Sequence, residues 1–166
     1  MEYCDRENLR SFINKHINDN KLIEENKISN IIRQICRGIK EIHNKKIIHR
    51  DLKPENIFIN NNNIKIGDFG ISKQLNSYKT HALTTKRIGS DYYSAPEILI
   101  NGIYNEKSDI YSLGCIIYEL FTLNIYYKEL IRKKGKIDEI NSDYYNNKWQ
   151  RLVDSLLEPD YKKGLI

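Results

Sequence analysis

"HRDLKPENIFINNNNIKIGDFG", His49 to Gly70, is the stretch from which the rest of this 166-residue chain is read. Its middle is short and punctuated. "NIFIN" is a β-branched and aromatic run, and Asn60 to Asn63 put four asparagines in a row, a residue type that tolerates the left-handed backbone of a tight turn. "NIKIGD" then alternates Ile64 and Ile66 with Lys65 and Gly67. Together with the upstream run "KKIIH", the pattern predicts a small hairpin pair.

Outward from this block the period changes. Ile28, Ile31, Ile32, Ile35, Cys36, Ile39 and Ile42 recur at three and four, which predicts a helix over Ile28 to His43 with Ser29 or Asn30 as its cap. Downstream, Ser72 to Asp91 is polar and without sustained period, so it reads as a long ordered loop ending in "SAPEIL", where Pro96 starts a helical turn. "SDIYSLGCIIYELFT", Ser108 to Thr122, is apolar nearly all round and therefore a buried helix, capped by Ser108 or Asp109. From Tyr126 the tail mixes the basic run "IRKKGK" with a weaker amphipathic helix at "KWQRLVDSLL". No internal repeat appears.

Composition excludes several classes of protein. The chain is long enough for one domain with a real core, and no run approaches the roughly 18 apolar residues of a membrane span. Glu2, Asp5, Arg6, Glu7 and Arg10 interrupt any apolar core of a secretory signal, so the expected location is the cytoplasm, or the nucleus. Cys4, Cys36 and Cys115 are odd in number and far apart, which leaves neither a disulfide framework nor a metal knuckle. His16, His43, His49 and His81 lack metal-ligand spacing, and each reads more simply as a surface or hydrogen-bonded core histidine. The net charge of +5 is spread among Glu and Asp, so a solvated surface explains it better than nucleic-acid binding, which is not expected. The 19 Asn are spread too evenly to mark a low-complexity domain.

"HRDLKPEN" fixes eight residues in a row, far more specific than a lone glycine motif, and "DFG" follows it at Asp68 to Gly70. With "APE" at Ala95 to Glu97 and "SDIYSLG", the chain resembles the protein kinases, and the matching motifs are those of that family's C-terminal lobe. The implied fold is mainly α with short β-hairpins, the C-terminal lobe of a protein-kinase-like fold with the N-terminal β lobe absent. On that reading residues 1–166 are a partial kinase domain, with the hinge at 1–4, the catalytic loop at 49–56, the activation segment at 68–97 and helices to 166.

The resemblance implies ATP and Mg²⁺ as cofactors and a protein as substrate. Transfer of a γ-phosphoryl group needs in-line placement of a hydroxyl and neutralisation of phosphate charge more than covalent chemistry. Asp51 then orients the hydroxyl and accepts its proton, and Lys53 sets a positive charge on the moving phosphoryl group. Asn56 and Asp68 supply hard oxygen ligands for the metal. Lys53 also implies Ser/Thr substrates. "MEYC" falls on the hinge, where Met1 guards the back of the nucleotide pocket, and the Glu2 carbonyl and Cys4 amide meet adenine, with Phe58 beneath the ring. His49, Phe69 and Gly70 are read as structural, with His49 and Phe69 packing in the family's internal spine.

Regulation is implied too. Arg50 beside Asp51 marks kinases switched by phosphorylation between DFG and APE, with Thr85 as first candidate site, Thr84 as its neighbour, and a phosphate there pairing with Arg50. Ser90 replaces the usual Thr near the substrate hydroxyl, and Tyr111 stands where Trp is common. Asp109 is expected to prop the catalytic loop backbone. Glu97 would pair with an Arg near the lobe's end, but Gly164 stands there with Lys163 beside it, and a lysine cannot reproduce the bidentate fork.

Within the family, "MEYCDRENLRSFI", "KKIIHRDLKPENIFI" and "KIGDFG" look most like the kinases of the translation initiation factor 2 alpha subunit, which would make that subunit the substrate and translation regulation the role. Lys128 to Lys136 falls near the helix those kinases use for substrate docking, although a solvated face is the better reading of it. No Gly-rich loop, strand Lys or helix Glu is found, so the chain alone is expected to be nearly inert and to need the missing N-lobe or a partner kinase. A non-catalytic binding module is the alternative function.

Overall fold

The computed structural model describes residues 7–68, 73–74, 91–101, 104–125 and 138–157. In chain order these form β1 (Glu7–Asn8), α1 (Leu9–Asn18), α2 (Glu25–Asn44), β2 (Ile47–Ile48), β3 (Ile57–Asn60), β4 (Asn63–Ile66), β5 (Lys73–Gln74), α3 (Pro96–Asn101), α4 (Glu106–Thr122) and α5 (Lys148–Leu157). Single 3-10 turns at Pro54–Asn56 and Asp91–Tyr93 complete the order. The architecture is mainly helical with two small antiparallel sheets, one ordered β1-β3-β4 and one pairing β2 with β5.

The asparagine run makes the turn between β3 and β4. Asn60 pairs with Asn63 in the register, and Asn61 and Asn62 sit at φ 47° and 67°. Two successive positive φ angles are the signature of a two-residue turn whose twist matches the strands, and asparagine reaches them at little cost. Gln34 fastens this hairpin to α2: its Nε2 donates to Asn62 O at 2.9 Å and its Oε1 accepts from Ile64 N at 2.9 Å. The "KKIIH" strand, expected beside this hairpin, instead pairs Ile47 and Ile48 with Gln74 and Lys73.

Helix α2 buries Ile28, Ile31, Ile32, Ile35 and Ile39, as their spacing predicts. It begins one turn earlier than that spacing alone indicates, because the Ile28 amide needs a helical acceptor and finds Glu24 O at 3.0 Å. Ser29 and Asn30 therefore lie inside the helix and do not cap it. Helix α4 likewise starts before Ser108. Asn105 is its cap, with Oδ1 accepting from Lys107 N and Ser108 N, while Ser108 Oγ accepts the Asn105 amide to close a reciprocal box. Asp109 is thereby released from capping and turns inward.

Helix α4 is the axis of the core. Ile116, Ile117, Tyr118 and Phe121 are each no more than 1% exposed. Phe121 meets Tyr145 edge to face and Trp149 at a tilt, with ring centroids 4.8 and 5.0 Å away, and α5 buries Trp149, Val153 and Leu157 against the same helix. Gly114 makes the close approach possible, since a Cβ there would meet Leu156 Cβ and Leu157 Cδ2 at 2.9 Å. Helix α1, for which no pattern was read, buries Leu9, Phe12 and Ile13 and is capped by Asn8 through Ser11 N at 2.9 Å. Among the described residues no helix is long and apolar enough to cross a membrane.

Candidate active site

The candidate residues gather where β2 runs into the segment after Ile48. Asp109, 1% exposed on α4, accepts the His49 amide at 2.9 Å through Oδ2 and the Arg50 amide at 3.0 Å through Oδ1. His43 Nε2 meets the same Oδ2 at 2.8 Å. Arg50 adopts φ 73°, a conformation that costs an L-residue with a Cβ roughly 1–2 kcal/mol, and the two charge-assisted bonds from one buried carboxylate hold the loop there.

His49 is fully buried and ties that loop to the hairpin. Its Nδ1 accepts the Asp51 amide at 3.3 Å, which leaves Nε2 as the protonated nitrogen that donates to Gly67 O at 2.9 Å. Gly67 N in turn donates to Asn56 O at 2.9 Å. Residues 18 apart in sequence are thus joined, and Asp68, exposed at φ 57°, follows directly.

The carboxylate of Asp51 lies between two donors. Lys53 Nζ approaches Oδ2 at 2.7 Å, and Asn56 Nδ2 reaches both Asp51 O at 2.7 Å and Oδ2 at 3.1 Å. Pro54 opens the 3-10 turn that carries Asn56 back beneath Asp51, its fixed φ suiting that position. With its amide nitrogen committed to Asp51, Asn56 keeps Oδ1 as its ligand atom. Among the described residues no three His, Cys, Asp or Glu side chains cluster as a metal site. An Asn oxygen and the Asp68 carboxylate nevertheless fit Mg²⁺, which takes one or two protein oxygens and completes its shell with phosphate and water.

Phe58 stands on β3, half-buried, with its ring against Gly67, where a Cβ would come within 2.7 Å of it. Arg50 is half-buried and its guanidinium carbon lies 5.3 Å from the centre of the Tyr104 ring. Glu97 sits in the first turn of α3. The hinge residues Glu2 and Cys4, Phe69, Gly70, the candidate phosphosites Thr84 and Thr85, Lys128 to Lys136, and Lys163 and Gly164 lie outside the described residues.

Sequence patterns missed a second polar group beside the first. Arg10 Nε donates to Glu55 Oε1 at 2.8 Å, and its Nη1 and Nη2 donate to Glu119 at 2.5 and 3.3 Å. Nη2 also donates to Tyr93 OH, which itself donates to Glu119 Oε2 at 2.5 Å. Burial works against the Arg10 charge, but hydrogen bonding and the charge of Glu119 outweigh it and drive the pKa up. Burial, then the charge of Glu119, holds the Tyr93 phenol well above its ordinary value. One signal was available: Glu119 is the only charge in "GCIIYELF", and a carboxylate inside an all-round apolar helix needs a buried partner.

Residues 1–163 match the protein-family model described as "Protein kinase domain". The chain belongs to the protein kinase family. Among relatives of this chain are human serine/threonine-protein kinase Nek5, 47% identical over 125 residues covering 74% of the chain and 17% of the relative, and mouse serine/threonine-protein kinase Nek3, 41% identical over 166 residues covering 95% and 32%. Mouse serine/threonine-protein kinase Nek2 is 40% identical over 147 residues covering 84% and 33%. The kinase chain therefore spans about a third or less of the length of these curated relatives. These names place its kinship among the serine/threonine kinases. They do not support the resemblance to kinases of the initiation factor 2 alpha subunit. That resemblance rested on three short segments, whereas the Nek alignments run through most of the chain.

Proposed function

We propose that this chain carries the phosphotransfer residues of a Nek-type serine/threonine kinase, which moves the γ-phosphoryl group of ATP to a protein hydroxyl. What supports the reading is the Asp51 carboxylate held between Lys53 Nζ and Asn56 Nδ2, on a loop fixed by Asp109. Asp51 orients the serine or threonine hydroxyl and takes its proton as the oxygen–phosphorus bond forms and the bond to the ADP oxygen breaks. Lys53 swings its charge from Asp51 toward the transferring phosphoryl group. Asn56 Oδ1 and Asp68 would hold Mg²⁺, which when bound neutralises phosphate charge.

The remaining roles follow the same reading. Phe58 supports adenine from β3, with the Glu2 carbonyl and Cys4 amide at its edge. Arg50 receives a phosphate on Thr85 or Thr84 and so couples the segment between Asp68 and Glu97 to the loop that holds Asp51. The Nek-type relatives lend no support to the initiation factor 2 alpha subunit as the substrate.

The test is transfer of labelled phosphate from Mg-ATP to serine- and threonine-containing protein substrates, with the alpha subunit as one of them, by the wild-type chain and by Asp51→Asn. Transfer that Asp51→Asn abolishes supports the reading. Transfer that survives Asp51→Asn, or a folded wild-type chain that transfers nothing even with an N-terminal kinase lobe supplied, overturns it and leaves a non-catalytic module of the kinase family. Efficient labelling of the alpha subunit would restore the initiation-factor assignment.

A further inference from the structure

We propose that Arg10 is a positioning residue of the phosphotransfer site: its guanidinium fixes the Lys53–Asn56 turn against the segment that ends at Tyr93. The inference rests on the kinase reading for the consequence in rate, and on geometry alone for the clamp. Four elements meet at this one side chain. Arg10 comes from α1, Glu55 from the turn that carries Asn56, Tyr93 from the 3-10 turn before α3, and Glu119 from the core helix α4.

The chemistry requires a guanidinium. Glu119 is 1% exposed, and a buried carboxylate without a counter-ion is one of the costliest features a fold can carry. Arg10 satisfies it with Nη1 and Nη2 while Nε, pointing along a different edge of the fork, holds Glu55. A lysine offers one compact ammonium and cannot span both carboxylates in that plane.

One covalent link and one hydrogen-bonded link carry the effect to the site. Glu55 is bonded to Asn56, whose Nδ2 contacts Asp51, and lies two residues from Lys53. Tyr93 is held at both ends, by its phenol in the cluster and by its carbonyl, which accepts Ser112 Oγ at 2.7 Å. The Arg10 fork therefore sets the distance between the turn that bears Lys53 and Asn56 and the segment leading to the Ala95–Glu97 motif. Misplacement of reacting groups by about 1 Å costs on the order of 10²-fold in rate.

The full chain is compared as wild type, Arg10→Ala, Arg10→Lys and the double variant Arg10→Ala/Glu119→Gln, which removes the charge left unpaired and guards against failure to fold. Amide hydrogen exchange is expected to rise over residues 53–57 and 92–95 in Arg10→Ala and in the double variant, with α2 unchanged. Millimolar guanidinium restores protection in Arg10→Ala, methylammonium does not, and Arg10→Lys stays unprotected. In phosphate transfer kcat falls about 10- to 100-fold at constant KM for ATP, and guanidinium recovers it over the same concentration range. Unchanged exchange at 53–57, a rise spread evenly over the chain, or full protection in Arg10→Lys overturns the clamp. A wild type that stays inactive with an N-terminal kinase lobe supplied overturns the kinase reading instead, and exchange alone then decides the clamp.

Discussion

Asp109 holds Arg50 at φ 73° by accepting its backbone amide at 3.0 Å, while its other oxygen takes the His49 amide at 2.9 Å and His43 Nε2 at 2.8 Å. One carboxylate thus determines which way the chain turns before Asp51. Asp109→Ala leaves two amides and an imidazole without their acceptor inside the core. Buried donors that lose a charged partner cost about 1.5–3 kcal/mol each when taken singly, and because neighbours relax together the expected loss is about 3 kcal/mol in all. Urea unfolding checks it. A variant within 1 kcal/mol of wild type at unchanged m-value would mean that other contacts fix the loop.

Lys53 sets a positive charge 2.7 Å from Asp51 Oδ2. Lys53→Met keeps the stem length and removes the charge. On the proposed mechanism kcat falls by about 10²- to 10³-fold, the loss typical of one electrostatic contact made to the transition state, while KM for ATP changes little. A rise in KM at constant kcat would instead assign Lys53 to ground-state binding of the nucleotide.

Where a long face of a helix is buried the sequence pattern located it, whereas the shorter buried face of α1, with Leu9, Phe12 and Ile13, carried too few repeats. The isoleucines of α2, the all-round apolar α4 and the period of "KWQRLVDSLL" each record a core contact, and the asparagine run records a backbone angle that few residues accept. Caps and short strands were less legible. Asn105 caps α4 through a box with Ser108, and nothing local separates it from the competing Ser108 and Asp109 until Asp109 is seen to be claimed by the loop. β2 is two residues long and its partners lie 27 and 25 residues away, Gln74 for Ile47 and Lys73 for Ile48, so neither strand carries a pattern of its own. The motif residues around Asp51 were legible because a dense local spacing brings them together. Arg10, Glu55, Tyr93 and Glu119 come from four separate elements, and only the tertiary fold assembles them.

Acid is expected to loosen the attachment of the tail to α2. Glu25 at the start of α2 accepts Trp149 Nε1 at 2.9 Å and the Asn146 amide at 3.0 Å, and these bonds, the Trp149 bond foremost, hold its carboxyl below the ordinary value of 4.5. A carboxylate depressed in the native state contributes stability that is fully present above the unfolded value and is lost as pH falls through the native one. Glu25→Gln keeps one acceptor oxygen and presents an NH₂ group to the second donor. Its Tm is therefore expected a few degrees below wild type at pH 7, with the difference shrinking below about pH 4.5 as the wild-type carboxyl protonates. Thermal melts of both proteins between pH 3 and 7 measure it, and a gap that stays constant with pH would mean that the ionised form of Glu25 is not what Trp149 and Asn146 select.

Gly114 sets how closely α5 lies on the core helix. A Cβ at this position would stand 2.9 Å from both Leu156 Cβ and Leu157 Cδ2, nearer than carbon atoms pack, and Leu156 Cβ cannot swing away because it is bonded to the α5 backbone. Alanine at 114 gains helix propensity of about 1 kcal/mol, so the two effects oppose each other. Overpacking of a tight interface costs about 1–3 kcal/mol, and here the clash falls on backbone-linked atoms on one side, so the cost is expected to win. Gly114→Ala should be destabilised by about 1–2 kcal/mol in urea, with raised hydrogen exchange along α5 and little change in the β3–β4 hairpin. A stabilised Gly114→Ala would show that α5 shifts outward freely, and with it that the Phe121–Trp149 contact, 5.0 Å between ring centres, does not pin the helix in place.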